Sequence, residues 1–273
     1  MQRQAEITND QNIARAAENM RSIELTLVER ADATIVVSPY EAKLLSDLVP
    51  DAVVHQVPIL RPAPDDGWTG PWSRRSRLVR RLLELGRKPR QDILFIGGYL
   101  HSPNVDAAKR FVREVWPLVH ARGFPERMIV AGSHPPKEIQ ALASSRIDVR
   151  GYVPDLNALF ASSRMSIAPL RYGGGIKGKI VTSLSFGVPV VATSIAAEGM
   201  GLVHNRDALI AGSSQSMAEQ ILRLYRDAKL WDTLATKGYE TFQSNYSIAS
   251  GAQKIPAVID ALLRGPARRN QLL

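Results

Sequence analysis

Residues 173–179 read Gly-Gly-Gly-Ile-Lys-Gly-Lys and carry the strongest chemical signal in the chain. Three glycines let the backbone wrap a ligand with its N–H groups. The apolar run Met165–Ala168 before them reads as a strand, and Ile176, Ile180 and Leu184 behind them give the buried face of a helix. That reading puts Lys177 and Lys179 in the first helical turn. A cation there costs about 0.3–1 kcal/mol against the helix dipole. A bound anion reverses that sign and gathers the free N–H groups as well. A phosphate site is therefore expected. The plainer alternative is a flexible glycine loop with solvated lysines.

Gly173–Gly178 fits G-x-G-x-x-G, with Glu198 further on, which read literally is the dinucleotide fingerprint of an NAD-dependent oxidoreductase, and Gly173–Lys179 fits G-x-x-x-x-G-K. Neither fit is complete. Arg171-Tyr172 separates the strand from the glycines, and Ile180 stands where a Mg²⁺-binding Ser or Thr belongs. The two motifs agree only on a phosphate.

Two more strand ends carry candidates. Ile96-Gly97-Gly98 runs into His101-Ser102-Pro103-Asn104. The glycines permit close approach of a ligand, and His101 could donate to a phosphate or act near a sugar, unless it is only solvated. In Thr193–Gly199, Glu198 could accept from ribose or sugar hydroxyls, unless it is a plain surface carboxylate. The histidines have no metal spacing, cysteine is absent, and there is no G-x-S-x-G elbow, so no metal and no thiol chemistry are expected.

The elements that must position these residues alternate. Strands are predicted at 33–37, 52–57, 93–96, 128–131, 147–149, 165–168 and 188–192. Helices are predicted at about 10–31, after a Ser38 cap, after a Ser102-Pro103 cap, and at 136–144, 155–162, 176–186, 214–228, 230–243 and 248–263. Apolar, β-branched strands separated by helices predict an α/β fold, a Rossmann-like parallel sheet with helices on both faces. Ligands in such sheets bind at the carboxyl ends of the strands.

With 45% apolar and 22% charged residues among 273, the chain is globular rather than disordered. Its net charge of +9 favours anionic partners. No RNA-binding aromatic signature or zinc finger is present, so nucleic acid is not an expected partner. The polar opening has no apolar h-region, so a cytoplasmic protein is expected. Residues 61–90 read as a Pro/Gly-rich linker followed by a basic helix, Arg74–Arg90. That helix is either solvated or faces nucleic acid or an anionic membrane surface, the last of which would make the protein peripheral to the inner face of the membrane.

Taken together, Phe95–Tyr99, Ser102–Ala107, Ile129–Ser133, Val149–Asp155, Ala168–Ile180, Phe186–Thr193 and Ala197–Gly199 resemble, in order and spacing, the C-terminal domain of GT-B glycosyltransferases of family 4, the retaining group. The resemblance spans Asp92 to Leu263. It implies a remnant of an acceptor-side domain at 1–60, a linker at 61–90 and a nucleotide-sugar-binding domain at 91–265. It further implies transfer of a sugar from a nucleotide-diphosphate donor, without a metal, to a glycan or lipid-linked acceptor in cell-envelope or polysaccharide synthesis. By position, Gly173, Gly174, Gly175, Lys177 and Lys179 would hold the diphosphate, with Arg171 assisting. Gly97, Gly98 and His101 would lie near the transferred sugar, and Glu198 and Gly199 near ribose or base. Thr182 stands where the family usually has a ribose-binding glutamate, and Gly174 where it has a second one. On the same grounds the chain is either an active enzyme or an inactive module that binds the donor.

Overall fold

The computed structural model describes residues 2–64 and 90–264. The basic stretch from Arg74 lies outside the described residues, except for Arg90. The description begins with helices α1 (Gln2–Thr8) and α2 (Gln11–Arg30). The Asp10 side chain accepts from the N–H groups of Asn12 and Ile13, which fixes where α2 starts. Strand β1 (Thr34–Val36) leads to α3 (Pro39–Leu48), which carries a full capping box between Ser38 and Glu41. Strand β2 (Val54–Gln56) returns beside β1, and the two pair in parallel.

After residue 90, six parallel strands form one sheet. They are β3 (Asp92–Ile96), β4 (Met128–Ala131), β5 (Ile147–Gly151), β6 (Ser163–Ala168), β7 (Val190–Thr193) and β8 (Leu209–Ala211). Their order across the sheet is β5-β4-β3-β6-β7-β8. The chain runs outward from β3 to β5, then returns to place β6 on the other side of β3. That reversal opens a crevice at the carboxyl ends of β3 and β6.

Helices cover both faces of this sheet. Ile93, Phe95, Met128 and Val130 enter one buried cluster, while Leu94, Ile129 and Ala131 enter the other with Phe160, Phe186 and Val188. Burial on both faces explains why the strands read as continuous apolar runs rather than as alternation.

Helix α4 (Ser102–Arg110) passes through a π-turn (Phe111–Val115) into α5 (Trp116–His120), with Pro117 at the restart. The remaining helices are α6 (Lys137–Gln140), α7 (Leu156–Ser162), α8 (Gly178–Ser185), α9 (Ser194–Ala197), α10 (Ser214–Arg226), α11 (Ala228–Asn245) and α12 (Ile248–Arg264). The helix expected at 136–144 is only α6, because Ser144 turns the chain back by exchanging backbone hydrogen bonds with Ile147. The strand expected at 188–192 sits at Val190–Thr193, since the N–H of Val188 is still taken up by Ser183 O of α8. The short β8, α9 and α1 were not expected from sequence. Among the described residues no helix is long and apolar enough to cross a membrane.

Candidate functional site

A cavity of about 380 Å³ lies at the crevice between β3 and β6. Four segments line it: Ile96–Gly98 with His101, Pro103 and Asn104; Leu170 with Tyr172–Gly174; Ile176–Lys179 with Thr182; and Arg61 with Leu156. No carboxylate is among these lining residues.

The glycine loop reaches this position because its backbone takes conformations that side chains resist. Gly173 has φ +122° and packs against Pro103, while Gly175 has φ +68° beside Glu41 and Val37 of the first unit. Helix α8 then begins at Gly178, later than expected. Lys177 is its N-cap residue rather than part of its first turn, and caps nothing with its side chain. Its ammonium turns back into the loop and donates to the carbonyls of Gly174 (3.2 Å) and Gly175 (2.6 Å). Lys177 is only 8% exposed, and burial lowers its pKa, partly offset by Glu198 and Glu41.

Lys179 reaches the floor of the cavity. Its Nζ donates to Asn104 Oδ1 and lies 4.6 Å from the centroid of the Phe95 ring. Asn104 Nδ2 in turn donates to Gly98 O at 2.7 Å. Gly97 makes room for this amide, since a Cβ there would fall 2.8 Å from Asn104 Cγ. Among the described residues no carboxylate pairs with Lys179. Burial, with a smaller push from Lys177, brings its pKa down to about 7. His101 is the N-cap residue of α4, displacing the expected Ser102 cap, and its ring makes no capping bond. Burial, then Lys179 and Lys177, lowers its pKa, so it is neutral at pH 7.

The cavity therefore gathers two helix N-termini, a glycine loop and several cations. Such an arrangement is chemically suited to an anion.

Some expected residues lie elsewhere. Arg171 is turned away onto Asp106 of α4, forming a bidentate ion pair, and is not among the lining residues. Glu198 and Gly199 also fall outside the lining. Arg3 of α1 holds Glu198 through two hydrogen bonds of 2.7 and 2.8 Å, and that contact keeps its pKa low. Gly199 (φ +74°) packs on Ser38. Thr182 does line the cavity, with its hydroxyl donating to Gly178 O at 2.9 Å. Sequence reasoning assigned no role to Asn104, although it lay in a quoted segment, and no role to Arg61, Arg3 or Glu41. Among the described residues no group of three or more metal-ligating side chains forms.

A doubly wound parallel sheet with a lysine- and arginine-lined cavity at its switch point defines a Rossmann-like unit. Residues 90–227 match the family described as "Glycosyl transferases group 1", and the chain belongs to that family. It is similar to an uncharacterized 44.6 kDa protein in the cps region of Klebsiella pneumoniae, at 23% identity over 164 residues, 57% of this chain and 42% of that protein. The fold is that of GT-B glycosyltransferases. Sucrose-phosphate synthase of Thermosynechococcus elongatus superposes with a TM-score of 0.68 at 18% identity, covering 90% of this chain and 62% of that one. HepE of Anabaena, solved with UDP and glucose, superposes at 0.65 and 15% identity, covering 88% and 66%. The chain thus spans less than half the length of that curated relative.

Proposed function

We propose that this chain supplies the donor side of a nucleotide-sugar glycosyltransferase. The observation that carries the proposal is the cavity lined by Lys177, Lys179 and Arg61 with no carboxylate among its lining residues. Family membership and the UDP-bound neighbour support it. In this reading the Gly173–Gly175 loop, the α8 N-terminus and Lys179 hold the donor diphosphate. Gly97, Gly98 and His101 border the sugar. As the glycosidic bond to the diphosphate oxygen breaks, negative charge grows on the leaving nucleotide. Fixed N–H groups and lysines in a low-dielectric site stabilise that charge, and the proposal invokes no metal. The sugar passes with retained configuration to a glycan or lipid-linked acceptor. The relative in a cps region supports polysaccharide synthesis as the setting.

The test is Lys177→Ala combined with Lys179→Ala, titrated with UDP, GDP, ADP and TDP. The nucleotide that binds the parent chain should bind the variant at least tenfold more weakly, with the fold left intact. Unchanged affinity would remove this cavity from the account.

A further inference from the structure

Arg61 stands far from the glycine–lysine segment in sequence, yet it lines the same cavity. Its Nη2 lies 3.3 Å from where a Cβ would stand on Gly178, the first residue of α8. The backbone beneath it is fastened. Its N–H donates to Tyr246 O at 2.8 Å, and its carbonyl accepts from Ile248 N–H at 3.2 Å. These bonds form a parallel bridge to Ser247, at the junction of α11 and α12. The preceding Leu60 fills a notch in α12, where a Cβ on Gly251 would fall 2.1 Å from Leu60 Cδ1. The connection is thus anchored at the residue that reaches the cavity.

The Arg61 side chain is exposed, and no ion pair holds it among the described residues. A guanidinium beside the N-terminus of a helix opposes the dipole, as the lysines do. An anion in the cavity turns that opposition into attraction. The two cations occupy different depths: Lys179 sits over Phe95 on the floor, and Arg61 at the solvent side. Such a pair matches an anion with two phosphoryl groups. The planar guanidinium can also fork onto two oxygens of one of them.

We propose that Arg61 grips the outer phosphoryl group of a bound diphosphate and sets the preference of the cavity for a diphosphate over a single phosphate. The proposal rests on the reading of the cavity as a donor-diphosphate site. It also ties the connection to ligand binding, because the anchored backbone leaves only the side chain to move.

Calorimetric titration of the full chain with inorganic pyrophosphate, and separately with inorganic phosphate, tests this without choosing a base. The variants are Arg61→Gln, Arg61→Lys and Lys179→Met. Arg61→Gln should weaken pyrophosphate binding about tenfold, the scale of one charged hydrogen-bonded contact, and leave phosphate binding within twofold. Arg61→Lys should recover part of the loss, and Lys179→Met should weaken both anions. If Arg61→Gln changes neither anion, or both equally, while Lys179→Met still weakens them, Arg61 has no such role and the cavity reading stands. If the parent chain binds neither anion, the cavity reading and the proposal fall together.

Discussion

Lys179 has Asn104 Oδ1 as its acceptor and the Phe95 ring beneath it, and burial brings its pKa from the ordinary 10.5 to about 7. Between those values the unfolded chain binds more protons than the folded one, so this residue makes stability rise with pH from about 7 toward 10.5. Below pH 7 its full cost is present. Lys179→Met should therefore be more stable than the parent at pH 6, by on the order of 1 kcal/mol, with the gap closing as pH approaches 10. Denaturant unfolding at pH 6 and 9 measures this, and a variant less stable at pH 6 would show that the lysine is structural. The same variant should lose diphosphate affinity. A residue that weakens the empty fold but is needed by the ligand is what a binding site is expected to contain.

At the scale of elements, β3 and β4 meet so closely at their carboxyl ends that only glycine fits at 132. A Cβ there would fall 1.7 Å from Gly97 O, at φ +150°. Gly132→Ala should destabilise the protein by about 3 kcal/mol or more and lower its melting temperature accordingly. Glu114 in the π-turn accepts from Arg113, Arg110 and Ser214, tying that turn to the start of α10. These bonds hold its pKa down at about 2, against an ordinary 4.5. The stabilisation is complete above about pH 4.5 and disappears as pH falls toward 2. Glu114→Gln should cost roughly 0.5–1 kcal/mol at pH 7, since the carboxylate is a third exposed, and nothing near pH 2. Chemical unfolding across that range would reveal a pH-independent difference if the carboxylate did not matter. Strands of four to six apolar residues and helices with a clear period, such as α8 and α10, were legible in sequence. The three residues of β8 were too short to register against that background. The π-turn, with Phe111 and Val115 buried in it and Pro117 just beyond, breaks a helix that the apolar period reads as continuous.

At the scale of the whole molecule, α1 and the start of α3 touch the loops that follow β6 and β7. Glu41 approaches Gly175, Ser38 packs on Gly199, and Arg3 pairs with Glu198. The glycines and lysines of the cavity were readable because they are neighbours in the chain. Arg61, Asn104 and Arg3 become relevant only when distant segments fold together, so no local pattern could mark them. The turn of Arg171 onto Asp106 was hidden for the same reason. The net charge of +9 pointed to an anion but could not say where it binds.

The proposed function requires this cavity to bind a nucleoside diphosphate. Its most direct test is thermal unfolding of the full chain with UDP, GDP, ADP, TDP or NAD at millimolar concentration. A ligand at a hundredfold excess over its Kd stabilises by about 2.7 kcal/mol. One nucleoside diphosphate should raise the melting temperature by several degrees, and that shift should vanish in the Lys177→Ala, Lys179→Ala variant. A shift with NAD alone, or an equal shift in the variant, would contradict it.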